Sequence, residues 1–329
     1  INWSVLNFQP YFTANAANCG YTWWSHDIGG HMMGEHDDEL YIRWLQLAVF
    51  LPILRLHSTS LDVLGKEPWN FSWEAETLGT EYLQLRHRMI PYIYSMNYRT
   101  FKDGRALCEP LYYTHPDDKV AFEYGNEYYF GSELLVCPVT EDNVSAIKVQ
   151  FPKGRWVNIW DGTTYAGDTQ QVVDASLDTI PVYLEAGSAV PVTLGKSLTI
   201  NGINTEGKNT NALLISPAVE KKENKIYLDK EHTEVYTSDA LGDNTYSVTA
   251  GAASDKNIVV AMGITANSVK VGNTELKELS KRPTSASSEV GFYRDLENNS
   301  TIIVTGGNWT TLEYSGSSER YVNVAFDAT

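Results

Sequence analysis

Cysteine is scarce: Cys19, Cys108 and Cys137 are the only three in 329 residues, an odd number with no C-x-x-C pair. That excludes a disulfide framework and a zinc knuckle, and buried free thiols are expected instead. Positive charge is also scarce, with 25 Lys and Arg against 41 Asp and Glu and a formal net charge of −16. A nucleic-acid partner needs an excess of cations to displace counterions, so none is expected. The acidity fits solubility and a neutral or cationic ligand. Long apolar runs are missing too. The longest, LAVFLPIL at residues 47–54, falls far short of the roughly 20 residues that cross a bilayer, so neither a transmembrane helix nor a membrane partner is expected. No G-x-S-x-G, G-x-G-x-x-G or Walker pattern occurs, which leaves serine-nucleophile and phosphate chemistry without a motif. The first residue is Ile1 and no charged-then-apolar leader is visible, so a processed chain or a piece of a longer one is expected.

What the sequence does have is enough apolar and aromatic material, 43% and 12%, for two or three cores. Residues 1–104 alternate apolar runs with helical periodicity. YTWW reads as a strand ending at Ser25 to Asp27. Asp37 and Asp38 are N-cap residues for a helix that places Leu40, Trp44, Leu47 and Leu51 on one face and stops before Pro52. LPILRL reads as a second buried strand, ending at His57. A long amphipathic helix is expected from Ser72 to Lys102, kinked by Pro91 and stopped by Gly104. Strand–helix–strand–helix is the mark of βα units. Asp27 and His57 lie one such repeat apart, each where a strand gives way to polar residues, and barrel active sites are built at those strand ends. From about 105 the periodicity turns to short strands between turns, as in LLVCPV, IKVQF and WDG. From about 196 the chain becomes rich in Thr, Ser, Asn and Gly with further strand-like runs. The expected division is 1–104 as the last strands and helices of a (β/α)8 barrel, 105–195 as a proximal β-sandwich and 196–329 as a distal one.

The chemistry concentrates in YTWWSHDIGGH, residues 21–31. Asp27 there has four readings: catalytic acid or base, ligand grip, metal ligand, or structural cap. His26, His31 and His36 recur every five residues. That spacing fits neither one helix face nor strand alternation, so no metal site is expected from it. Aromatic platforms, a carboxylate, His and Arg together suit a sugar, which has apolar faces and hydroxyl rims. LRLHS adds Arg55 and His57, and Gly29–Gly30 allow close approach of the backbone.

These same stretches resemble glycoside hydrolase family 31, the α-glucosidase and α-xylosidase family. HDIGGH is similar to the family's D-I-G-G-F strand end, and RWLQLAVFLPILRLHS to its R-W-x-Q-x-x-x-F-x-P-x-x-R-x-H segment. LRHRMIPYIYSMNY is similar to its R-x-x-L-x-P-Y-x-Y helix. YYFGSELLVCPV, FPKGRWVNIWDGTTYAG and LDTIPVYLEAGSAVPV follow its proximal β-domain. The match runs from about residue 17 to 195, and residues 196–329 fit the distal β-domain by position and texture only. The resemblance implies a retaining α-glycosidase without a cofactor, acting on α-linked glucoside oligosaccharides through two carboxylates. A transglucosidase or α-xylosidase of the same family is the alternative, and a non-catalytic sugar-binding module is the rival from another class. The family's nucleophile (W-x-D-M-N-E type) and acid/base (G-D type) motifs do not occur in residues 1–104, so the implied catalytic carboxylates lie before Ile1, on an N-terminal part that completes the barrel. Asp27 and His57 would bind hydroxyls of the −1 sugar, and Arg55 would orient neighbouring carboxylates. Trp24 would form a platform or fill the barrel. His31 stands where the family usually has Phe and makes the pocket wall more polar.

Overall fold

The computed structural model describes residues 1–34, 36–318 and 320–322. Four helices come first: α1, Trp3–Ala16; α2, Asp38–Val49; α3, Trp73–Arg88; and α4, Ile90–Asp103. Their ends are set by local chemistry. The Asp37 carboxylate accepts the backbone N–H of Leu40, and Ser72 does the same for Ala75. Gly104 closes α4 in the left-handed conformation at φ 71°. Pro91, expected to kink one long helix, instead divides it at Met89. Proline lacks an N–H and its ring crowds the carbonyl four residues back, so the hydrogen-bond ladder ends and restarts. α1 escaped the sequence reading, because Pro10 lies inside it and Phe8, Tyr11 and Phe12 are exposed on its surface.

The two strands expected at YTWW and LPILRL are not formed. Between the segments there is one parallel bridge, Ile28 to Leu56, made by Ile28 N–H to Arg55 O at 3.1 Å, with Thr59 N–H to His31 O at 3.1 Å beyond it. A parallel strand needs neighbours along its length and cover on both faces. Here each segment has one partner over a few residues among those described. The bridge still sets the two segments side by side and in parallel.

Beyond α4 the chain is all β. A seven-stranded sheet runs in the order Cys108–Pro110, Tyr128–Phe130, Leu134–Val136, Val182–Glu185, Arg155–Asn158, Thr164–Ala166, Tyr321–Val322, with the two-stranded antiparallel sheet Ala146–Phe151/Thr169–Asp174 against it. Strand alternation sends Leu135, Trp156 and Tyr183 to Val149, Phe151 and Val173 of that small sheet, while Leu134, Val136, Val157, Val182 and Leu184 join the helical core. A second sandwich faces a five-stranded sheet with a six-stranded one, closing on Leu213, Val259 and Ile303 against Tyr236, Val248 and Leu312. Ala189–Leu194 pairs with Thr210–Ile215 in that second unit. We therefore propose the same three-part division, with Ala189–Leu194 counted with the last unit. Cys108 and Cys137 are buried, but Cys19, expected to be buried, is exposed on the turn after α1. Among the described residues no helix is long and apolar enough to cross a membrane.

Buried arginines stitch helices to loops. Arg43, 1% exposed, donates to the carbonyls of Val144, Ala175, Ser176 and Thr179. Arg43→Met strips those four acceptors of their donor, at about 1–3 kcal/mol for each one left unpaired. The variant should lose at least about 3 kcal/mol of unfolding free energy in denaturant titration, and a stability like the parent's would show the stitch to be dispensable.

Candidate sugar-binding site

The site grows from the end of α2. Arg86, pushed down to about 10 by burial, donates to the carbonyls of Val49, Leu51 and Pro52. The first is an orphan acceptor of the helix terminus and the other two lie just past it, and holding all three fixes the direction in which residues 53–57 leave. The Ile28–Leu56 bridge then delivers Arg55 and His57 beside Asp27 and His31.

Asp27 is gripped from two sides. The Arg55 guanidinium pairs with its Oδ1, and His31 Nδ1 lies 2.7 Å from its Oδ2. The His31 and His57 rings sit 5.3 Å apart, tilted by 31°. Asp27 retains 20% side-chain exposure, His31 41% and Arg55 51%, so all three border open space. Gly30 N–H returns to Asp27 O at 2.9 Å, turning the chain directly after the carboxylate. Gly29 has φ 83°, and a Cβ there would stand 2.9 Å from the Lys66 side chain, so only glycine fits this approach. Lys66 itself is 8% exposed, and burial pulls its pKa down.

The three histidines of the five-residue spacing do not gather. His36 Nε2 lies 3.1 Å from Asn70 O, and its ring stacks on Phe71. His26 Nε2 accepts the Trp44 indole N–H at 2.8 Å, and burial lowers its pKa to about 4 despite Asp27 next to it. An imidazole that accepts through Nε2 must be neutral. The stability this neutral form confers is complete above the ordinary value of 6.5 and is lost as pH falls from there through about 4. An imidazole NMR titration should show His26 still neutral at pH 5.5, and protonation near 6.5 would contradict the Trp44 contact. Trp24 packs edge-on to Phe12 at 5.2 Å and tilted against His26 at 5.7 Å, with its indole N–H buried and unpartnered. Its surroundings are those of a filling side chain. The sequence reading brought in Asp27, His31, Arg55, His57 and Trp24 and missed His26–Trp44, Arg86 and Lys66. A polar residue within each apolar stretch was the available signal.

Two family models match: the glycosyl hydrolases family 31 TIM-barrel domain over residues 1–96 and the glycosyl hydrolase family 31 C-terminal domain over 104–190. An alpha-xylosidase of Saccharolobus solfataricus is 33% identical over 202 residues, which is 60% of this chain and 27% of that protein. The neutral alpha-glucosidase C of Mus musculus is 34% identical over 201 residues, 59% of this chain and 22% of its own. In structure, the Flavobacterium johnsoniae GH31 dextranase complexed with glucose superposes with a TM-score of 0.78 at 24% identity, over 96% of this chain and 42% of that one. The chain thus spans about a quarter of the length of these two curated relatives. Its first unit, with the parallel bridge and helical layer, is the end of a (β/α)8 barrel, and two β-sandwich units follow it. The chain belongs to glycoside hydrolase family 31.

Proposed function

We propose that these residues form the sugar-gripping side of the −1 subsite in a retaining α-glycosidase that acts on α-linked glucosides. The observation that carries this reading is the convergence of Asp27, Arg55 and His57 at two parallel segment ends joined by a single bridge. Barrel active sites are built at such ends. Asp27 accepts from sugar hydroxyls, His57 hydrogen-bonds beside it, and Arg55 holds the Asp27 carboxylate aimed. His31 forms the polar wall. Trp24 backs the segment before Asp27 from the filled interior rather than serving as a platform.

The nucleophile and the acid/base come from polypeptide N-terminal to these residues, which completes the barrel. Two sets of exposed apolar side chains support this part of the reading: Val5, Phe8 and Phe12 on α1, and Ile90, Tyr94 and Phe101 on α4. Faces this apolar are normally covered. It follows that residues 1–329 by themselves do not hydrolyse glycosides. Robust turnover of an aryl α-glucoside by this pure chain would overturn that assignment of roles. With the barrel complete, NMR should detect the α-anomer of the released sugar first, as a double displacement requires. First release of the β-anomer would exclude retention. Mass analysis of the products separates hydrolysis from transfer, since longer oligosaccharides appear only with transfer. Comparing aryl α-glucoside with aryl α-xyloside separates the glucosidase from the xylosidase reading.

A further inference from the structure

We propose that Asp27, His31 and His57 also form a binding site for a late first-row divalent cation, Zn2+ above all. Their ligand atoms lie within 4.8 Å of one another. Two imidazoles and one carboxylate are a donor set for Zn2+, Co2+ or Ni2+, whereas Mg2+ and Ca2+ select oxygen ligands throughout. The donors come from two chain segments that are already cross-linked. Ile28 N–H bonds to Arg55 O and Thr59 N–H bonds to His31 O on either side of the cluster, so little ordering is left to be done on binding.

The geometry asks for one small adjustment. Oδ2 of Asp27 and Nδ1 of His31 are 2.7 Å apart, while two donors on one tetrahedral zinc at about 2.0–2.1 Å stand roughly 3.3 Å from each other. Turning either side chain slightly opens that gap. Arg55 holds Oδ1 and leaves Oδ2 to face the ion, the kind of outer partner that orients a ligating carboxylate. Its positive charge also weakens cation affinity, so the ion is exchangeable rather than structural. Three protein donors beside open space leave a fourth position for water. The ion would occupy the space proposed for the sugar, so metal and sugar exclude each other.

The feature that separates this chain from the family pattern is His31. Phenylalanine, the usual residue, cannot ligate. His31→Phe therefore removes one ligand and restores the family's residue in a single step.

The test is calorimetric titration of the full-length protein with Zn2+ at neutral pH. It is run in a Cys19→Ser background, because the Cys19 thiol is exposed and would bind the metal itself. One equivalent should bind, and His31→Phe and His57→Ala should each weaken binding at least about tenfold. Co2+ should give a visible absorption band that both variants lose. Unfolding temperatures like the parent's show that the variants are folded. Zn2+ binding equally well to both folded variants, or no binding to the parent, overturns the proposal. The titration contains no sugar and no turnover, so its outcome is independent of the α-glycosidase reading, which stands or falls on the kinetics.

Discussion

Replacing Asp27 by Asn should lower kcat/KM for an α-glucoside by about 100-fold or more in the enzyme with its barrel complete. Hydrogen bonds to an ionised carboxylate are worth about 1.5–3 kcal/mol each, and Asn removes the charge while keeping the shape. It also releases Arg55, whose guanidinium pairs with Oδ1, and His31, whose Nδ1 lies 2.7 Å from Oδ2. The freed groups no longer aim at the sugar. The loss should fall on kcat as well as KM, because contacts to the sugar under attack strengthen as positive charge develops on the ring. Asp27 is partly exposed and carries no core packing, so the unfolding midpoint should hardly move. His57→Ala should act in the same direction with a smaller effect. Unchanged kinetics in both variants would remove these residues from the subsite.

Glu127→Gln should flatten a pH dependence of stability. Glu127 is 5% exposed. Its Oε1 accepts the backbone N–H of Gln150 at 2.9 Å, and its Oε2 is buried without a partner. Burial pushes its pKa from 4.5 up to about 8. A carboxyl raised in the folded state binds a proton that the unfolded chain has already released. Its contribution is therefore complete below 4.5 and is lost as pH rises from there through about 8. That loss amounts to about 3–5 kcal/mol. Glutamine mimics the protonated acid in shape and keeps an oxygen for Gln150. Denaturant titrations at pH 5 and pH 8.5 should show wild type weakening by that amount and the variant holding level, apart from changes shared by the two. Parallel curves would mean that Glu127 ionises as freely folded as unfolded.

How far the sequence revealed the molecule depended on how local each cause was. Asp37, Ser72 and Gly104 act on backbone groups three or four residues away, so their roles can be read from the sequence alone. Pro91 acts four residues back, and its effect was underestimated only in degree. YTWW and LPILRL have strand composition, but a strand exists through its neighbours, and among the described residues the backbone pairing between the two segments is one bridge and one further hydrogen bond. Asp27 and His57 could be paired from a βα repeat length. The family resemblance alone put His31 in the same pocket as His57, since the regular spacing grouped His31 with His26 and His36, which are occupied by Trp44 and Phe71. Glu127 gave no signal, because its burial comes from contacts far along the chain.

The parallel pairing of Tyr321–Val322 with Thr164–Ala166 bears on the order in which the protein can mature. The first β-unit borrows its outermost strand from the far end of the second. During synthesis that edge stays open, its backbone groups unpaired, until the second sandwich has emerged and released its tail. A ribosome stalled anywhere between residues 190 and 320 would hold a nearly finished sheet with one bare margin, the condition under which strands from neighbouring nascent chains pair with each other.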